Sequence, residues 1–166
     1  MKNNLHLNKS IGNRKGKKFV SDPMSKALEL DRVGDFLNAE IEYKNVLKKS
    51  PRNTSALTNL GVIYLQEKEF NLAEENFKKA ISIDSNSVNS HYNLGLTYVK
   101  LEKLLQAKDC FLKVIKIIPN FVFALNALGN VNSTLEKTDD AIYYYDKVAQ
   151  LQPNFKNIHL HLANYY

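Results

Sequence analysis

L-T-N-L-G-V-I-Y-L-Q-E-K-E-F-N-L-A-E-E-N-F, residues Leu57 to Phe77, is the stretch whose reading decides the fold. Leu57, Leu60, Gly61 and Tyr64 recur at helical spacing, a polar break runs from Gln66 to Glu69, and Ala73 and Phe77 resume the spacing. The pattern predicts two helices folded back on each other. Thirty-four residues later the chain repeats it with His91, Leu94, Gly95 and Tyr98, then Ala107 and Phe111.

Working outward in that register, four columns persist. Ala27, Gly61, Gly95 and Gly129 form a small column, and Ala39, Ala73, Ala107 and Ala141 a second. Tyr43, Phe77, Phe111 and Tyr145 form an aromatic column, and Pro51, Ser85, Pro119 and Pro153 close each unit. Four units follow, about 20–53, 54–87, 88–121 and 122–155, with a half unit over 156–166. A helical glycine is about 1 kcal/mol less favourable than alanine, so its recurrence signals close helix approach. The aromatic column is expected to fill the space between adjacent units, and the prolines to stop each second helix.

Composition agrees with a helical repeat. Only six Gly and four Pro occur in 166 residues, and 44% of the chain is apolar. The single cysteine, Cys110, allows no intrachain disulfide, which favours a reducing, cytoplasmic location. The net charge of +6 lies in residues 1–20, which hold Lys2, Lys9, Arg14, Lys15, Lys17 and Lys18 and no acid. That segment reads as a disordered basic arm, and it lacks both the apolar block of a signal peptide and the amphipathic pattern of a transit peptide. No apolar run is long enough for a membrane span. Order is expected to begin at Ser21-Asp22-Pro23, with Asp22 capping a first helix that reaches about Val33 and breaks at Gly34. Phe36 to Lys49 makes the return helix.

The sequence resembles the tetratricopeptide repeat (TPR) family, whose unit carries a large residue, then L-G, then Y, with A-x3-F and a closing P. Unit 3 matches as His91, Leu94-Gly95, Tyr98, Ala107-x3-Phe111 and Pro119, and unit 2 matches with Ser85 in place of the proline. The resemblance covers residues 20–166 and implies an all-α right-handed α-solenoid of antiparallel helix pairs. Unit 1 departs from the pattern at Pro23 and Lys26 and reads as a polar cap. Unit 4 carries Asn132 for the tyrosine, and Thr138 where Phe36 and Phe70 stand. It is therefore expected to pack less well and open first. The apolar end, Ile158, Leu160, Leu162, Tyr165 and Tyr166, has three readings: a fragment of a longer protein, a tolerated cap, or an edge for self-association.

No constellation for catalysis, metal or cofactor binding emerges. Cys110 has no histidine at a spacing that predicts contact and reads as an inert thiol. His159 and His161, two apart, point to different helix faces, and His91 takes a packing position. Asp139 and Asp140 fall where acidic residues complement a helix dipole. The run R-K-G-K-K at 14–18 could meet nucleic acid or an acidic membrane through charge alone, but few aromatics interleave it.

The resemblance implies binding in a concave groove lined by the first helices. Transferred by position, the groove residues are Ser55, Thr58, Asn59 and Val62 in unit 2, Asn89, Tyr92, Asn93 and Leu96 in unit 3, and Phe123, Asn126, Asn130 and Ser133 in unit 4. The positions where relatives that clamp chaperone C-terminal tails need Lys or Arg hold neither, which argues against such a tail as partner. Asn59 and Asn93 resemble the asparagine ladder of superhelices attached to O-linked glycosyltransferases, a ladder that Ala127 interrupts. The function expected is protein or peptide binding by a non-enzymatic scaffold, with Tyr92 and Phe123 as anchors. Two rival readings are an N-terminal recognition module of a bacterial-type glycosyl- or sulfotransferase, and an adaptor using its basic arm.

Overall fold

The computed structural model describes residues 22–165. Nine helices occur among the described residues: α1 (Pro23–Arg32), α2 (Phe36–Lys49), α3 (Thr54–Gln66), α4 (Phe70–Ile83), α5 (Val88–Lys100), α6 (Leu104–Ile117), α7 (Val122–Thr134), α8 (Thr138–Leu151) and α9 (Ile158–Ala163). They pair as α1–α2, α3–α4, α5–α6 and α7–α8, and each pair also packs on the next, giving an α-solenoid. The expected basic arm, the start of order at Ser21, and Tyr166 lie outside the described residues. No described helix is long and apolar enough to cross a membrane.

Local chemistry sets the helix ends. Asp22 accepts the backbone N–H groups of Met24 and Ser25, and Pro23 occupies the first turn, where no donor is lost. The turn inside each pair places one residue in the left-handed region: Gly34, Lys68, Glu102 and Glu136, with φ of 81°, 63°, 58° and 58°. Around Lys68 the amide of Glu69 returns to the carbonyl of Tyr64 at 2.8 Å, and Lys103 and Lys137 make the same bond to Tyr98 and Asn132, at 2.9 Å each. This terminal motif satisfies carbonyls the helix leaves open. Only unit 1 uses glycine for it.

The glycine column makes notches. A Cβ placed on Gly61 would lie 2.7 Å from the Phe77 ring, and one on Gly95 would lie 2.5 Å from Phe111. Tyr145 fills the notch at Gly129 in the same way. The aromatic column therefore fills the notch within its own unit as well as bordering the next, an addition to the expectation that it fills the space between units. The ring lies over its own glycine because that is where a side chain is missing, while the hydroxyl of Tyr43 reaches forward to Asn59 of the next unit at 3.0 Å and the Tyr145 ring stacks on His161 of the following half unit at 4.9 Å.

Between units, polar pairs recur in register. Tyr64 donates to Glu40 at 2.9 Å and Tyr98 to Glu74 at 3.3 Å, each reaching back to the second helix of the preceding unit. Lys44 hydrogen-bonds Glu40 and holds its carboxyl below the usual range. Burial pushes the Glu74 carboxyl up, but hydrogen bonds from Lys78 and Lys103 outweigh it and leave it lowered.

At the third joint both partners change. Lys108 donates to Asn132 at 2.7 Å, and Asn132 donates to the Leu128 carbonyl at 2.8 Å. Asn132 is fully buried. The gap expected at the missing tyrosine of unit 4 is filled here, because Lys108 has taken the place of the glutamate and pairs the amide. Thr138, by contrast, is exposed where Phe36 and Phe70 are half-buried.

At the far end Ile158 is buried with Leu125, Ala141, Tyr145 and Val148, and Leu162 and Tyr165 pack against that cluster. Leu160 is exposed.

Candidate functional site

The groove residues fall on the first helices α3, α5 and α7, and the structure sorts them by what they already touch. Thr58 is buried, and its hydroxyl meets that of Ser90 at 2.7 Å, with Ser87 completing the chain at 2.8 Å. It stiffens the α3–α5 joint and is not offered to a ligand. Asn59 donates to the Tyr43 hydroxyl, and Asn93 donates to the Asn89 carbonyl on its own helix at 2.9 Å. Each of these amides keeps its carbonyl and one N–H, so the asparagine ladder is half engaged inside the chain. Val62 and Leu96 are half-buried against the core. Asn130 accepts from Tyr145 at 2.8 Å and Ser133 from Tyr165 at 2.6 Å.

Two parts of one edge remain open, along the N-terminal ends of the first helices. The first is a cleft of about 370 Å³ lined by Met24, Leu28, Ser55, Asn59, Ser87 and Asn89, with Asp84 and the walls of α3. Caps start the helices beside it: Asn53 accepts the Ala56 amide at 2.9 Å, and Ser87, which lines the cleft, accepts the Ser90 amide at 3.4 Å.

The second part is a row of rings. Tyr92 meets Phe121 at 5.4 Å between centroids, Phe121 meets Phe123 at 6.0 Å, and Phe123 meets Phe155 at 5.9 Å. The inner end rests on buried Phe111, 5.8 Å from Tyr92, which is seated in the Gly95 notch. Phe123 is 58% exposed, while Tyr92, Phe121 and Phe155 are half-buried. The rings are tilted or edge-on to one another, the arrangement that aromatic quadrupoles favour.

Tyr92 and Phe123 were expected in the groove, whereas Phe121 and Phe155 were not. Phe121 stands at the N-cap of α7 and forms no side-chain cap bond there, at the position of Asn53 and Ser87. An apolar residue in place of a capping one is typically about 1 kcal/mol less favourable. Phe155 falls one repeat later, in the turn before α9. The signal was the 34-residue register linking the two phenylalanines, at a position where the repeat pattern prescribes nothing.

Elsewhere the titratable groups are structural. Burial, with Asp109 beside it, pushes the Cys110 thiol up to about 12, so no thiolate forms near neutrality. His91 Nε2 hydrogen-bonds the Ser85 carbonyl at 3.0 Å and His159 Nε2 that of Pro153 at 2.9 Å, the carbonyl accepting in each, the same contact two repeats apart. His161 instead stacks on Tyr145 at 4.9 Å, so the two C-terminal histidines face different partners. Asp139 and Asp140 occupy the first turn of α8, and Asp140 also pairs with Lys108 at 3.1 Å. Among the described residues no group of three or more His, Cys, Asp or Glu is placed to hold a metal ion.

Residues 63–102 match a family model described as a TPR repeat, and residues 88–121 and 124–155 each match a model of the tetratricopeptide repeat. The chain is a tetratricopeptide repeat protein. Solved TPR structures share its shape. A crystal structure of MamA superposes with a TM-score of 0.80 at 28% identity, covering 84% of this chain and 82% of MamA. Pseudomonas aeruginosa pilF gives 0.77 at 23% identity over 86% and 65% of the two chains. A tetratricopeptide repeat protein from Parabacteroides merdae gives 0.78 at 22% identity over 85% and 56%. No curated protein matches by sequence. As a TPR protein the chain is a protein-interaction scaffold, with protein or peptide partners in general.

Proposed function

We propose that this TPR protein binds a protein or peptide segment along the open edge of its groove, without catalysing a reaction, in the cytoplasm. The observation that supports this most is the row Tyr92–Phe121–Phe123–Phe155. Ordinary packing does not need it, since Phe123 stays exposed and Phe121 replaces a cap. A cluster of rings at the surface of a rigid scaffold is the kind of place where a few residues carry most of the binding energy. The solenoid core beneath supplies the preorganisation that limits the entropy lost on binding.

The test is capture of the partner on the immobilised full chain, compared with Tyr92→Ala combined with Asn93→Ala. Loss of most of the captured protein is expected, at unchanged helical circular dichroism. Unchanged recovery would remove the groove as the binding site.

A further inference from the structure

We propose that the outer face of α2, together with the basic segment that precedes the fold, is a docking surface for an anionic lipid bilayer. It lies on a second helix, away from the groove, and stands independently of the groove reading above.

Leu37, Ile41, Lys44 and Lys48 recur at intervals of four, three and four residues along α2, which sets them on one helix face. That face points away from the core. Leu37 is 67% exposed and Ile41 50%, while Ala39, Tyr43 and Val46 are buried on the opposite face. A single exposed leucine is ordinary, but two branched apolar side chains one turn apart, followed by two lysines in the same stripe, form a pattern. The other second helices interrupt this stripe with a carboxylate: Glu75 on α4, Asp109 on α6, and Asp139 and Asp146 on α8.

The charges around the stripe are of one sign. Both carboxylates of α2 are already engaged, Glu40 by Lys44 and Tyr64, and Glu42 by Lys26. Lys48 and Lys49 in the last turn, and Arg52 just beyond it, are exposed and make no ion pair among the described residues. The chain enters the fold beside them, since Asp22 and Lys49 line one cleft. Residues 1–20, which lead to that point in the sequence, add Lys2, Lys9, Arg14, Lys15, Lys17 and Lys18 and no acid.

A basic cluster of this size is attracted to anionic lipid headgroups. Nucleic acid would satisfy the cations, but its phosphates have no use for Leu37 and Ile41. At a bilayer surface the two apolar side chains meet the acyl boundary while the lysines keep their ammonium groups among the headgroups. The first helices, which carry the ring row, stay open to their own partner.

The experiment sediments the full chain with vesicles of phosphatidylcholine containing about one-third phosphatidylserine, and with phosphatidylcholine vesicles alone. Binding to the anionic vesicles is expected to be about tenfold tighter or more. It should be lost as salt is raised from about 0.1 M to about 1 M, where the Debye length falls to about 3 Å. Lys48→Gln with Lys49→Gln and Arg52→Gln should weaken it about tenfold, and Leu37→Ser with Ile41→Ser about threefold. Leu105→Ser, at the position of Leu37 on α6 and 62% exposed, should leave it unchanged. All these side chains are at the surface, so the variants are expected to fold, with unchanged helical circular dichroism as the check. A fluorescein-labelled oligothymidine, titrated in parallel, should be indifferent to Leu37→Ser with Ile41→Ser.

Equal binding to neutral and anionic vesicles overturns the proposal, as does anionic-vesicle binding that survives the Leu37 and Ile41 pair undiminished. Binding of the oligothymidine without binding of any vesicle assigns the cations to nucleic acid and overturns it too. If Gln at positions 14, 15, 17 and 18 abolishes vesicle binding while the α2 variants change nothing, the N-terminal segment acts alone and α2 is not the surface. None of these failures touches the groove reading, which partner capture by the Tyr92→Ala and Asn93→Ala pair tests separately.

Discussion

The two parts of the open edge use the same backbone positions for opposite chemistry. Asn53 caps α3 and Ser55, Ser87 and Asn89 line the polar part, and one repeat later the same positions are Phe121 and Phe123, with Phe155 continuing the column. The scaffold beneath is the same in both, a glycine notch filled by a buried ring at Gly61–Phe77 and at Gly95–Phe111. The difference shows that the repeat pattern leaves the cap column free to vary. In the polar part that freedom is spent on hydrogen-bonded helix starts, and in the aromatic part on surface rings.

The sharpest way to break this contrast is to write one part into the other. Phe121→Ser with Phe123→Asn gives α7 the start that α5 has. Partner capture on the immobilised chain should then fall to background. A restored cap of about 1 kcal/mol offsets part of the lost ring packing, so the thermal midpoint should move by only a few degrees.

A smaller effect is expected from the notch. Gly95→Ala puts a methyl against Phe111, which is fully buried and cannot swing away. Overpacking of this kind is destabilising by about 1–3 kcal/mol, readable in urea unfolding. Because Phe111 supports Tyr92, the aromatic part should lose affinity too, whereas Gly61→Ala should destabilise without that loss.

The smallest effect lies in the joints and depends on pH. Glu40 and Glu74 have carboxyls held below their ordinary 4.5, so the unfolded chain binds protons first as pH falls. Their stabilisation is complete above that value and is lost progressively as pH drops through the lowered folded values. The Lys108–Asn132 hydrogen bond contains no carboxylate, and the one carboxylate Lys108 meets, Asp140, is exposed. Hydrogen exchange below about pH 4.5 should therefore loosen the α2–α3 and α4–α5 joints before α6–α7. Lys108→Glu with Asn132→Tyr, and Asp140→Asn so that the new carboxylate meets no like charge, should confer the same acid sensitivity on the third joint.

The helical hairpins, their turns and their glycine register were legible because each rests on a column read four times. Turn residues such as Lys68, Glu102 and Glu136 follow the same period. What the sequence concealed was pairing. Asn59 and Asn93 look alike in register, yet one amide is used by Tyr43 and the other by its own helix. Thr58 looks like a groove residue but is buried by Ser90, thirty-two positions on. Asn132 read as a gap because its compensation, Lys108, lies on another helix in a column that carries no repeat signature. Side-chain partners across a joint are set by packing geometry, which a one-dimensional pattern does not contain.

The joint pairs also have a meaning for the order of the units. Glu40 accepts Tyr64, Glu74 accepts Tyr98, and Lys108 accepts neither role but meets Asn132. Each second helix thus carries a key for the first helix that follows it. A duplicated copy of unit 2 could be spliced in after unit 1 or unit 2, where a glutamate awaits its tyrosine. Spliced in after unit 3 it would set that tyrosine beside Lys108 in place of a glutamate, so the chain keeps its glutamate–tyrosine key when it lengthens in front of α6 and loses it behind.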